Sequence, residues 1–306
     1  MRIIFMGTPA FAEATLQALI STNHDILAVY TQPDKPSGRG HKMLASPVKT
    51  LALHHNLAVF QPPSLRSTDV VEQIIHMKPD VIVVVAYGQL LPQNILDIPR
   101  YGCLNIHGSL LPQYRGAAPI HWAILNGDTQ TGVTIIKMDA GMDTGDILAM
   151  ERTDILPDDN TLSLYERLKT QGASLLLNVL EKLPQNLIIP VPQNNELATY
   201  SALITRDMEK IDWHNSATAI HNQIRALNSA FTLDANNDQL KIWRTQVINN
   251  IQGAPGEIIR IDKTGFTVAT GQDGLHVLEV QPANRKRMSA RDFANGKQLV
   301  PGITFH

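Results

Sequence analysis

Three side chains in this 306-residue sequence have the types and placement to manage a carbonyl whose oxygen turns negative. Asn105 and His107 stand two apart in Asn105-Ile106-His107-Gly108-Ser109-Leu110-Leu111-Pro112, at the end of a strand-like run. Alternation along a strand puts both on one face, and open α/β sheets bind ligands at the carboxyl edge where that face ends. An amide donor beside an imidazole suits a developing oxyanion. Asp143 follows a second strand-like run, over 133–137, in a loop made pliable by Gly141 and Gly145. A carboxylate there can orient His107 and take up protons, or it can be a turn residue bonding its own backbone, as Asp146 is expected to be. A strand-end Asn and His are equally open to a structural role. If the three converge, the chemistry is acyl transfer without a covalent nucleophile.

Competing chemistries are weaker. Cys103 falls on the same face as His107, so a thiol nucleophile has to be weighed, but a single cysteine in an apolar strand reads as an inert buried thiol. One cysteine also excludes an internal disulfide or a cysteine-based zinc cluster, and the eleven histidines show no ligand spacing such as HExxH, so no metal is expected. The opening RIIFMGTPAF begins like a dinucleotide-binding turn but has only Gly7 where G-x-G-x-x-G is required. Gly7 therefore reads as a tight-turn residue, and a nicotinamide cofactor is not expected.

The elements that must position these residues alternate. Short β-branched runs over 2–6, 26–30, 81–87, 104–107 and 133–137 are separated by helix-forming stretches over 9–20, 46–56 and 69–76. This predicts an α/β, Rossmann-like domain with a mostly parallel sheet covered on both faces. A periodic segment over 162–183 predicts a closing helix, stopped by Pro184. A Pro- and Asn-rich stretch follows and reads as an extended connector. The expected domains are 1–189 and 206–306, with a linker over 190–205. In the second, a helix over 217–227 precedes short strands over 240–248, 257–262, 265–270 and 275–281, predicting a smaller antiparallel β-barrel of OB-like type.

Composition sets the remaining bounds. With 43% hydrophobic and 18% charged residues the chain is not disordered. Its longest apolar run, VIVVVAY at 81–87, is far short of the roughly 20 residues that span a bilayer. The N-terminus reads as a strand and helix rather than a secretory signal, so a cytoplasmic protein without membrane contact is expected. The net charge of −2 gives no global attraction to nucleic acid, yet residues 206–306 hold 12 of the 26 basic side chains against 10 of the 28 acidic ones. Lys35, Arg39, Lys42 and Lys49 crowd one glycine-containing segment, and Arg285, Lys286 and Arg287 another. Each is open to being plain solvated surface. Together they suit one elongated anionic partner, with Arg39, between Gly38 and Gly40, able to reach a phosphate or a base.

HGSLLPQYRGAAPI at 107–120, VVVAYG at 83–88, DTGDIL at 143–148, the opening RIIFMGTP and the loop TQPDKPSGRG at 31–40 together resemble the 10-formyltetrahydrofolate-dependent formyltransferases. That basic loop, which runs on to SPVK at 46–49, and the C-terminal region, with IDW at 211–213 and the closing pattern from Pro282 to Phe293, narrow the likeness to the methionyl-tRNA formyltransferase branch. The resemblance implies transfer of a formyl group from 10-formyltetrahydrofolate to the α-amine of methionyl initiator tRNA in translation initiation. It implies that Asn105 and His107 stabilise the tetrahedral oxyanion and that Asp143 orients His107 and assists proton transfer. Ser109, Leu110, Leu111 and Pro112 would line the folate site, with Val85, Tyr87, Leu90 and Asp139 nearby. Arg39, Lys42, Lys35, Arg285, Lys286 and Arg287 would bind tRNA, and a monomer is expected. Two departures stand out: Asn228-Ser229-Ala230-Phe231 where the family often has NPWP, and Tyr114 where it has Trp. The alternatives are a formyltransferase for a small amine such as an amino-sugar nucleotide, or a non-catalytic RNA-binding protein.

Overall fold

The structure, a computed structural model, describes residues 1–37, 42–234 and 236–306, with the side chains of Ser37 and Lys42 outside the description. Chain packing divides it into two compact units. The first comprises Met1–Pro119, Gln130–Asp154 and Tyr165–Ser201; the second comprises Ile120–Thr129, Ile155–Leu164 and Ala202–His306.

The chain opens with β1 (Arg2–Gly7), α1 (Ala10–Ile20), β2 (Asp25–Tyr30) and a hairpin of β3 (Lys35–Ser37) and β4 (Lys42–Leu44). It continues with α2 (Pro47–His54), β5 (Val59–Phe60), α3 (Thr68–Met77), β6 (Val81–Val85), α4 (Gln93–Leu96) and β7 (Cys103–His107). Local chemistry explains these elements. Ser46 Oγ accepts the Lys49 N–H and Pro47 opens the first turn of α2, a paired start signal. The run VIVVV makes β6 apolar on both faces, and all five residues are buried, as a central parallel strand requires. After β7 come β8 (Arg115–Gly116), α5 (Pro119–Leu125), β9 (Gln130–Lys137), β10 (Asp146–Asp154), α6 (Thr161–Lys182) and β11 (Tyr200–Ser201).

Seven strands form one sheet in the order β10-β9-β7-β6-β1-β2-β5. The pairs β1–β2, β1–β6, β2–β5 and β6–β7 are parallel, while β7–β9 and β9–β10 are antiparallel. The mostly parallel α/β sheet is therefore present, with an antiparallel margin that the sequence reading did not specify. Strand β10 was missed because its sequence DILAMERTD is only partly apolar and sits half-buried at the sheet edge. The two loop glycines act by close approach rather than pliancy: a Cβ on Gly145 would collide with the Lys137 carbonyl oxygen, and one on Gly141 with the Thr144 hydroxyl.

In the second unit, α7 (Ala217–Leu227) is followed by β12 (Phe231–Leu233), β13 (Gln239–Ile248), β14 (Ile258–Ile261), β15 (Phe266–Ala269), β16 (Gly274–Pro282), β17 (Met288–Ser289) and α8 (Ala290–Lys297). The sheet runs β12-β13-β16-β15-β14, with β17 on β16, all antiparallel. Ile211, Trp213, Ile220, Ile242, Phe266 and Phe305 are among the residues of its core. Among the described residues, strand pairing leaves this sheet open, so the expected barrel is not closed by its strands. The C-terminal residues instead bond to both margins: His306 N to Leu233 O at 3.0 Å and Ile258 N to Ile303 O at 2.8 Å. The Asn228-Ser229-Ala230-Phe231 segment is the turn from α7 into β12. Asn228 takes a left-handed φ of 53° as the cap of α7, and Ala230 is fully buried. Among the described residues, no helix is long and apolar enough to cross a membrane.

Candidate active site

Strand β7 delivers Asn105 and His107 in its last three residues, 9% and 6% exposed. Val84 of β6 flanks Asn105 on one side, and Ile136 and Thr134 of β9 flank Asn105 and His107 on the other. Asp143 arrives from the loop between β9 and β10, its backbone in the left-handed region at φ 53°. The three side chains meet on one carboxylate. Asn105 Nδ2 donates to Asp143 Oδ1 at 3.3 Å, and His107 Nδ1 lies 3.5 Å from Oδ2. The Gly116 N–H donates to the same Oδ2 at 2.8 Å, so the carboxylate cannot swing freely.

The other ring nitrogen settles which imidazole atom faces this group. His107 Nε2 lies 2.8 Å from the Tyr114 carbonyl oxygen, which can only accept, so Nε2 carries a proton. Only Nδ1 remains toward Asp143. Donation from Nδ1 to a developing oxyanion therefore requires a proton on Nδ1 as well as on Nε2. Cys103 does not take part: its Sγ is buried against the Ile95 carbonyl at 3.9 Å, and burial pushes the thiol up to about 12.

The loop after β7 is pinned from below. Thr134 Oγ1 donates to Ser109 O at 2.6 Å and accepts the Leu111 N–H at 3.2 Å, while Ser109 Oγ donates to Gln113 O at 2.5 Å. Ser109 and Leu111 are buried, and Leu110 and Pro112 are half-buried. Val85 ends β6 in the core, and the Tyr87 ring belongs to the core cluster of this unit, where burial pushes its hydroxyl up to about 12. The Tyr87 carbonyl accepts from Thr8 Oγ1 at 3.3 Å. Leu90, in contrast, is 68% exposed. The Asp139 carboxylate is occupied by its own loop, accepting from Gly141 N at 3.0 Å and Thr144 Oγ1 at 2.6 Å.

The basic residues are placed unevenly. Arg39 and the side chain of Lys42 lie outside the described residues. Lys35 is exposed on β3, and Lys49 is committed to Asp34 at 2.6 Å and Gln61 at 2.7 Å. In the second unit Arg285, Lys286 and Arg287 are exposed, and the Arg287 guanidinium stacks 3.2 Å above the Trp243 ring. Sequence reasoning missed the groups that fix the trio: Gly116 N–H, the Tyr114 carbonyl, Arg115 and Gln193. Backbone partners leave no trace in residue type, and Gln193 lay in a stretch that looked like connector.

Fold and site together have the form of an α/β acyl-transfer enzyme. The formyl transferase family matches residues 1–180, and its C-terminal domain matches residues 203–298. A methionyl-tRNA formyltransferase of Alkaliphilus oremlandii is 46% identical over 306 residues, covering 99% of this chain and 98% of its own. One from Trichlorobacter lovleyi is also 46% identical, over 98% of this chain and 96% of its own. Among solved structures, the N-formyltransferase from Helicobacter canadensis, in complex with folinic acid and dTDP-3-aminofucose, is similar with a TM-score of 0.67 at 20% identity, over 92% of this chain and 98% of its own. HypX from Aquifex aeolicus, in complex with tetrahydrofolic acid, is similar with a TM-score of 0.63 at 16% identity. That match covers 96% of this chain but only 47% of HypX, which is about twice as long. The chain belongs to the formyl transferase family.

Proposed function

We propose that this protein transfers the formyl group of 10-formyltetrahydrofolate to the α-amine of methionyl initiator tRNA, serving translation initiation. The observation that carries the chemistry is the convergence of Asn105 Nδ2 and His107 Nδ1 on the Asp143 carboxylate. The acceptor is supported by the full-length likeness to proteins named methionyl-tRNA formyltransferase. In this reading the amine nitrogen attacks the formyl carbon, Asn105 and His107 donate to the oxyanion, and Asp143 takes the amine proton. Collapse of the tetrahedral adduct breaks the bond to the folate nitrogen, which leaves with a proton. An oxyanion donor of this kind contributes about 3–4 kcal/mol.

The folate would lie against Ser109, Leu110, Leu111 and Pro112, with Val85, Leu90 and the backbone of Tyr87 and Asp139 nearby. The residues present fit a ligand with polar edges. Gln32 packs against Gly88, and among the described residues its buried Nε2 has no hydrogen-bond partner. Lys35, Arg39 and Lys42 would meet the acceptor end of the tRNA, and Arg285, Lys286 and Arg287 its flank. The division into 1–189, a linker over 190–205 and an OB-like barrel over 206–306 belongs to the same reading, as does a cytoplasmic monomer. The bonds from the C-terminal residues to both sheet margins support the barrel.

The test is formyl transfer from 10-formyltetrahydrofolate to charged initiator tRNA, run beside an amino-sugar nucleotide as acceptor. Turnover with the tRNA, lost in Asn105→Ala, His107→Ala and Asp143→Ala, is the expected result. Near-normal turnover in all three variants removes the site, and preference for the small amine removes the acceptor assignment. Arg39→Ala should raise KM for the tRNA while leaving KM for the folate unchanged.

A further inference from the structure

The Arg115 side chain is 1% exposed, yet among the described residues every partner of its guanidinium is neutral. Nε and Nη2 donate to Gln193 Oε1 at 3.1 and 2.8 Å, Nη2 also to Asn195 Oδ1 at 2.8 Å, and Nη1 reaches the Tyr200 hydroxyl at 3.4 Å. Among the described residues it pairs with no carboxylate. Burying a cation on neutral oxygens is costly, and an acid at position 193 would serve anchorage better. What an amide offers and a carboxylate cannot is a donor at its other end. Gln193 Nε2 donates to the carbonyl oxygens of both Asp143 and Gly145, each at 2.8 Å. The amide orientation is unambiguous, since reversing it would set NH2 against the guanidinium and oxygen against two carbonyls.

We propose that Arg115 and Gln193 are positioning residues for the transfer reaction. Through Gln193, the buried guanidinium holds the main chain of the Asp143 loop, so that this residue keeps its left-handed backbone and turns its carboxylate toward Asn105 and His107. The same strap reaches the imidazole. Its Ser201 hydroxyl donates to the Tyr114 carbonyl at 3.3 Å, the oxygen that also accepts from His107 Nε2. Pairing of β8 with β11, with Arg115 N bonded to Thr199 O at 2.8 Å, keeps the strap in register. The inference rests on the reading of Asn105, His107 and Asp143 as the reacting group.

Gln193→Glu tests it. The new carboxylate keeps acceptors for Arg115 and adds an opposite charge, so the strap stays attached, but it puts oxygen against the Asp143 and Gly145 carbonyls. The expected result is a fall in kcat on the order of 10²-fold, the cost of misplacing a reacting group by about 1 Å. KM for charged tRNA and the melting temperature should stay at wild-type values. Arg115→Lys, which keeps the charge and loses the fork, should show the same split between kcat and KM. A Gln193→Glu enzyme with kcat within twofold of wild type overturns the proposal. So does a deficit that disappears when the assay is run well below the melting temperature, because that assigns the strap to stability alone. Lost turnover in Asp143→Ala with full turnover in Gln193→Glu sinks the strap and leaves the site, whereas full turnover in both sinks the site.

Discussion

Each unit of this protein contains a buried strand histidine near an aspartate, and the two differ in what their ring nitrogens face. His276 on β16 is 5% exposed, His107 on β7 is 6%. His276 Nε2 lies 2.9 Å from Thr264 Oγ1 and Nδ1 3.0 Å from Thr267 Oγ1, with Asp262 at 3.8 Å. Hydroxyls rotate to donate or accept, so a neutral ring is satisfied there, and burial lowers the His276 pKa. Asp262 is itself spent on its turn, where bonds from the Thr264 hydroxyl and N–H hold it down to about 2. His107 faces a carbonyl and a carboxylate, which only accept. Burial and a nearby acid do not distinguish the two histidines; the donor and acceptor capacity of their partners does.

The widest separation is expected between His107→Ala and His276→Ala. The first should lower kcat by about 10²–10⁴-fold when assayed well below its melting temperature, as loss of a proton-handling group would. The second should leave kcat within about twofold while costing about 1–3 kcal/mol of stability, because the Thr264 and Thr267 hydroxyls each lose one of their hydrogen bonds in a buried site. Equal effects on turnover would dissolve the contrast.

A second separation is in pH. His221 on α7, bonded to Thr245 Oγ1 at 2.8 Å, is pushed down to about 4 by burial first and by Arg225 second, with Asp158 opposing. A histidine with a lowered folded-state pKa contributes stability that is present above its unfolded pKa and is lost as the pH falls. The second unit should therefore lose roughly 1–3 kcal/mol between about pH 6.5 and 4. Replacing the ring, as in His221→Gln, should flatten chemical denaturation midpoints across that window. An unaltered slope would show that the buried ring is not the source.

The smallest effect concerns Cys103, which lies two and four residues before Asn105 and His107. With its thiol pushed up to about 12, roughly one molecule in 10⁴ carries a thiolate at pH 8. Iodoacetamide should leave the native enzyme fully active and label it only after unfolding. Inactivation of the folded protein would reopen the nucleophile reading.

Much of the first unit was legible because its strands are short, continuous and apolar. β1, β2, β6 and β7 lie where β-branched runs predicted them, and α6 where a 3.6-residue period did. Half-buried or polar elements were not: β10 at the sheet edge, and α8, a two-turn helix whose sequence ARDFANGK offers only Ala290, Phe293 and Ala294 to the core amid polar residues. In the second unit the four longer strands and their antiparallel direction could be read, whereas β12 and β17, three and two residues long, could not, and whether the sheet closes depends on what bonds to its margins.

Residue type and spacing alone marked Asn105, His107 and Asp143, because alternation along a strand and a glycine-framed acid are local properties. They could not reveal which nitrogen of His107 faces the acid, that Gly116 clamps Asp143 Oδ2, or that a stretch resembling a connector carries Gln193 to the loop. Those features are hydrogen bonds between groups 7 to 50 residues apart, most of them to backbone atoms that every residue possesses. Such partners acquire meaning only once the chain has folded and brought a particular carbonyl or N–H within reach.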